Sequence, residues 1–250
     1  MTARASRPRR PSARGGRRGR RRVLVALVYL VSAAAAAFGV SLAAPSITTA
    51  VDGVRYPVAA DDVASARAAL PKLAVKGRAP QTGYDRGLFG QPWQDVDHNG
   101  CDTRNDILKR DLSEPTFKPG TGGCLVLSGT LADPYSGHDI KFKRGVDTSS
   151  AVQIDHVVAL DDAWQKGAQG WTPAVRESFA NDPANLLAVD GPLNMAKGAG
   201  DAATWLPPHK PFRCLYVIRQ VQVKAAYGLW VTAAERDAMA RELGKCEIGN

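Results

Sequence analysis

Apolar residues recur at helical spacing through Leu215, Ile218 and Val221 or Gln222, which predicts an amphipathic helix over residues 212–227. Thr232-Ala-Ala-Glu235 reads as a capping box that opens a last helix ending near Leu243 and Gly244. Upstream, Thr172 as N-cap with Pro173 at the first helical position predicts a helix to about Ala180. Further helices are predicted over residues 106–112 and 157–166, and a short one over 61–70, started by Asp61 or Asp62 and stopped by Pro71. The runs at residues 124–128, 152–155 and 185–189 read as short strands. Asp190-Gly-Pro192 reads as a turn, and Asn194 begins another helix-like segment. Turn signals such as Asn99-Gly100, Pro119-Gly120 and Asp133-Pro134 crowd residues 84–150. No internal repeat is visible, and the fold class is α+β.

Charge divides the chain. The 250 residues carry a formal net charge of +9, but ten Arg and no acid fall within residues 1–22. Without those ten, 23 bases face 24 acids, a net of −1. That excludes a broadly basic surface of the kind that coats DNA, so any phosphate contact must be local, salt-sensitive and largely blind to sequence. The Arg-rich start runs into 22 uncharged residues, 23–44, rich in Val, Leu and Ala. This is the pattern of an export signal, with small residues at Ser41-Leu-Ala43 or Thr48-Thr-Ala50 for cleavage. An uncleaved membrane anchor is the rival reading, since such a stretch can cross a core of roughly 30 Å. Either way the body is expected outside the cytoplasm, secreted or anchored. Residues 45–83 read as a linker or stalk, and the folded domain is expected over 84–250.

Four cysteines, without the spacing of a zinc site, agree with an oxidising compartment. Two helices folded about a turn near residues 228–231 would bring Cys214 beside Cys246, leaving Cys101 to pair with Cys124.

The chemistry gathers in Val152-Gln-Ile-Asp-His-Val-Val-Ala-Leu160 and Asn185-Leu-Leu-Ala-Val-Asp-Gly-Pro-Leu-Asn194-Met-Ala-Lys197. Asn185 and Asn194 follow His156 by 29 and 38 residues. An imidazole can activate water while oxygen-bearing side chains hold a hard cation against a phosphodiester. In an extended strand Asp155 and His156 point to opposite faces.

These residues resemble the HNH nuclease motif. The blocks Tyr84-Asp-Arg-Gly-Leu-Phe89, Trp93-Gln-Asp-Val-Asp-His-Asn-Gly-Cys-Asp-Thr-Arg-Asn-Asp106, Phe179-Ala-Asn-Asp-Pro-Ala-Asn185 and Asp201-Ala-Ala-Thr-Trp-Leu-Pro-Pro208 extend the likeness over about residues 84–246. They resemble a secreted actinobacterial HNH endonuclease family related to the C-terminal nuclease domain of GmrSD-type restriction enzymes. The resemblance implies a ββα-metal (His-Me finger) core with added helices, cutting DNA, with RNA as an alternative substrate. It implies His156 as general base, Asp155 and Asn194 as metal ligands, and Asn185 as the residue that holds the intervening loop. An all-oxygen ligand set favours Mg²⁺, with Mn²⁺ next. Some HNH enzymes carry a third ligand three or four residues after the last Asn. Lys197 and Gly198 stand there, so Lys197 is assigned to a substrate phosphate, together with Arg104 and Arg219. His98, His138 and His209 read as surface residues, and the five Trp as core rather than base-stacking platforms.

Asp95, Asp97, Asn99, Gly100 and Asp106 also follow the opening of a calcium loop, though the twelfth position is Asp rather than Glu. The competing function class is therefore a non-catalytic secreted module built around structural Ca²⁺.

Overall fold

The computed structural model describes residues 56–246. In chain order its elements are α1 (Ala60–Ala69), α2 (Thr103–Asp111), β1 (Leu112–Phe117), β2 (Val126–Ala132), β3 (Asp139–Lys143), β4 (Val152–His156), α3 (Leu160–Trp164), α4 (Pro173–Asn181), β5 (Leu186–Asp190), α5 (Gly191–Lys197), α6 (Arg213–Ala226) and α7 (Ala233–Gly244). This mixed α/β body holds two small antiparallel sheets, β1-β2-β3 and β4-β5.

The β4–β5 pair is central because both its faces are buried. Val152, Ile154, Leu186 and Ala188 pack with Ile107, Leu108, Val126 and Phe142 on one side. Leu187 and Val189 pack with α1, α6 and α7 on the other. That explains the unbroken apolar run of β5, which a strand with one wet face would not need. A two-stranded sheet leaves edge amides and carbonyls exposed. Here side chains satisfy them. Asp111 Oδ2 accepts from Ala188 N at 2.8 Å, Asp133 Oδ1 from Asp190 N at 2.8 Å, and Arg104 Nη2 donates to Val152 O at 3.2 Å.

Several boundaries differ from the sequence reading. The turn at Asp190-Gly-Pro192 is instead the start of α5, where Asp190 Oδ1 caps Leu193 N at 2.8 Å and Pro192 fits the first turn. The helix expected over 157–166 shrinks to α3 (Leu160–Trp164). In α2, Asp102 is the cap and accepts from Asn105 N. Thr172 and the Thr232–Glu235 capping box stand where the sequence placed them.

The stalk reading of residues 45–83 is corrected where the chain is described. Val58, Val63, Ala66, Leu70 and Leu73 are buried in the same core as α6 and α7. Val75 bridges Val231, and Arg67 Nη2 reaches Leu243 O at 2.6 Å. Apolar burial makes this segment part of the body. The export segment at residues 1–44 lies outside the described residues.

Two disulfides, Cys101–Cys124 and Cys214–Cys246, join the pairs expected. A buried ion cluster ties distant segments together. Lys166 Nζ meets Asp162, Asp201 and Glu235 at 2.6–2.7 Å, and Lys224 Nζ meets Asp162 and Glu235 at 2.9 Å. Arg78 closes the cluster on Asp162 and Asp201 at 3.0 and 2.7 Å. Three cations face three carboxylates, so each buried charge is compensated.

Candidate active site at the end of strand β4

Asp155 and His156 are the last two residues of β4, and α5 follows β5 without a loop. One polar pocket is lined by Gln153, Asp155, His156, Asp161, Asn194 and, from a distant segment, Tyr84 and Arg86. The register His156↔Leu186 and the α5 N-cap bring Asn194 over β4, where its Nδ2 donates to Gln153 Oε1 at 2.9 Å. That bond turns Asn194 Oδ1 away from Gln153.

The two adjacent side chains diverge. Asp155 is buried, with Oδ2 accepting from the Tyr135 hydroxyl at 2.5 Å and Oδ1 from Lys197 Nζ at 2.9 Å. Burial raises its pKa above the ordinary carboxylate range, while Lys197 and Tyr135 pull the other way. His156 turns toward Ala180, with Nε2 at 2.8 Å from the carbonyl oxygen, and its ring lies nearly parallel to Trp93 at 6.2 Å between centroids. Because a carbonyl only accepts, Nε2 carries the proton and Nδ1 keeps its lone pair. Burial, with the nearby Arg86 and Lys197 charges, depresses the imidazole pKa to about 3. The ring is therefore neutral at physiological pH.

Asn185 is buried below the pocket. Its Oδ1 accepts from Val158 N at 2.8 Å, its Nδ2 donates to Val158 O at 3.3 Å, and its carbonyl accepts from Val157 N at 2.7 Å. These bonds fix the chain just after His156.

Three assignments to substrate phosphate are corrected. Lys197 is buried, and its ammonium is spent on Asp155 and on His156 O at 2.7 Å. Arg104 holds the start of β4 rather than facing the pocket. Arg219, on α6, has Arg110 and Asp111 as its charged neighbours and does not line the pocket. Arg86, by contrast, is exposed and lines both pockets that His156 lines, yet nothing in its spacing marked it. Tyr135 and Gln153 were likewise missed.

In the segment expected as a calcium loop, Asp95 accepts from the backbone amides of Asn99 and Gly100, and Asp97 from Asn99. Among the described residues, no group of three or more His, Cys, Asp or Glu could hold a metal ion. At the β4–α5 pocket the donors are one carboxylate and one amide oxygen. They fit a hard divalent cation that keeps much of its water shell. Asp155 has one hydrogen bond on each oxygen, which leaves lone pairs for such an ion.

A model of the GmrSD restriction endonucleases, C-terminal domain, matches residues 102–242. A protein of Arthroderma benhamiae described as an "Uncharacterized secreted protein" is 35% identical over 207 residues, covering 82% of this chain and 96% of its own. No solved structure matches. Among the described residues no helix is long and apolar enough to cross a membrane, so the transmembrane expectation finds no support there, and the segment 23–44 on which it rested lies outside them.

Proposed function

The chain belongs to the family of the C-terminal domain of the GmrSD restriction endonucleases, a nuclease family, and from that membership we propose that it is a secreted, divalent-metal-dependent HNH endonuclease acting on DNA. In this reading β4, β5 and α5 are the ββα core. The observation that carries it is the fixed His156 tautomer beside Asp155 and Asn194: Nε2–H is tied to Ala180 O, which frees Nδ1 to take a proton from water. A ring that is neutral at pH 7 is ready to accept that proton. The approach of an anionic phosphate would raise its basicity from the depressed value of the free protein.

Asp155 and Asn194 would hold the cation, Mg²⁺ by the all-oxygen donor set. When bound, the cation would neutralise charge on the phosphate and on the departing oxygen. Lys197 orients Asp155 and offsets its charge. Arg86, at the pocket rim, would bind a phosphate oxygen in the forked geometry Arg favours. Asn185 keeps His156 in place through Val158. Secretion is supported by the secreted relative and by the two disulfides.

The test is plasmid nicking by the purified protein with Mg²⁺, with and without EDTA. Metal-dependent nicking that falls by about 10²–10⁴ in His156→Ala supports the assignment. Undiminished cleavage by that variant would refute His156 as the base.

A further inference from the structure

Behind His156, away from Asp155, lies a second cavity of about 130 Å³ lined by Arg86, Phe89, Trp93, His156, Ala180 and Asn181 among others. It lies well below the roughly 300 Å³ at which pockets for drug-sized ligands begin, and suits a single planar ring system. Its exposed walls are mostly apolar, and two of its residues stand out.

One is Asn181, 1% exposed, whose Oδ1 has no hydrogen-bond partner. Its amide cannot simply be reversed. Nδ2 donates to Glu177 O at 3.0 Å, and a flipped side chain would set oxygen against oxygen. A buried acceptor left unpaired is costly, so a ligand donor reaching it recovers that cost. The other is Trp93, held at φ 60°, a left-handed backbone that bulky residues avoid. In that conformation its indole lies 15° from parallel with the imidazole of His156.

We propose that this cavity is a nucleobase subsite: the base of the nucleotide adjoining the scissile phosphate stacks on Trp93 and donates an N–H to Asn181 Oδ1. The proposal rests on the nuclease reading and specifies it further, because His156 and Arg86 are shared by both pockets and a base seated here is tethered to a phosphate at His156. Stacking is tolerant of sequence because every base has a flat face. The unpaired acceptor adds selection, since it rewards a base whose reachable edge donates. Cleavage is therefore expected at many sites with a bias at one adjoining nucleotide.

Two readouts test the subsite, one of them independent of catalysis. In ¹⁵N-resolved NMR without metal, the indole N–H resonance that disappears in Trp93→Phe should shift saturably when 5′-nucleoside monophosphates are added. In cleavage of a random-sequence oligonucleotide, Trp93→Ala should raise KM about 10-fold with kcat changed less than 3-fold, while Trp93→Phe stays near wild type. Asn181→Leu should flatten the base bias at the adjoining position. Each variant is taken forward only with a melting temperature near wild type, and the NMR arm uses the unsubstituted chain. A stationary resonance, or unchanged KM and bias in Trp93→Ala and Asn181→Leu, overturns the subsite and leaves the nuclease reading standing. A resonance that shifts in a protein that cuts no DNA keeps the subsite and removes the nuclease reading.

Discussion

Lys197 illustrates how a single side chain changes meaning between sequence and structure. Four helix residues place it three positions past Asn194, where a cation facing a phosphate is a natural reading. The α5 geometry instead sends its ammonium inward to Asp155 Oδ1 and His156 O. Lys197→Met keeps the length of the stem and removes the charge, leaving a buried carboxylate with only Tyr135. We expect a loss of about 3–5 kcal/mol, the usual cost of breaking a buried pair, read from urea unfolding at pH 7. An unfolding midpoint equal to wild type would mean that the pair contributes nothing. Arg86 predicts the opposite pattern. Its side chain is exposed, so Arg86→Ala should leave unfolding unchanged within about 0.5 kcal/mol while weakening DNA binding and flattening its salt dependence.

Among the elements, two caps of equal strength should differ in function. Thr232→Ala removes the capping box of α7, and Asp190→Ala removes the cap of α5. Each is expected to cost about 1 kcal/mol in thermal or urea unfolding. Only Asp190→Ala should also depress nicking, because α5 carries Asn194 and Lys197. If both variants cut equally well, the start of α5 does not position the site. Gly191 is a sharper constraint at the same junction. A Cβ there would stand 2.1 Å from Ser150 O, a backbone atom that cannot swing aside. Gly191→Ala should therefore cost more than the 1–3 kcal/mol of ordinary overpacking, measured by the fall in melting temperature.

What was legible follows from how local each signal is. Thr172-Pro173 and the Thr232–Glu235 box are contained in four residues, and they stand as read. Asp190-Gly-Pro misled because Gly-Pro marks a turn and a helix start alike. The segment around α1 reads as a stalk because the helix itself buries only Val63 and Ala66, among alanines that look the same on a surface. The spacing of Asp155, His156, Asn185 and Asn194 could be seen since all lie within one supersecondary unit. Arg86 and Tyr135 arrive by tertiary folding from segments with no mutual period, and no linear pattern announces them.

At the scale of the whole molecule, the ion cluster should set the acid limit. Burial alone would raise the pKa of Asp201, but Lys166 and Arg78 hold it at about 2. Its unfolded value is about 3.9. A carboxylate depressed on folding stabilises the native state above the unfolded pKa and loses that contribution as pH falls toward the folded one. Roughly 2–3 kcal/mol should therefore disappear between about pH 4 and 2, visible as a drop in melting temperature across that window. A melting temperature flat over the same range would contradict it.

Arg67 on the first described helix hydrogen-bonds Leu243 near the end of the last, 176 residues apart. A chain made from its N-terminus must therefore wait for almost its full length before that latch can shut. Until then the core that α1 shares with α6 lacks its α7 side, and Lys166 and Lys224 lack the carboxylate of Glu235. Truncated nascent chains should remain protease-sensitive up to that point and become resistant once Leu243 is free. Under the proposed nuclease reading, such late closure would give the producing cell a grace period, since the latch shuts only when synthesis is all but over.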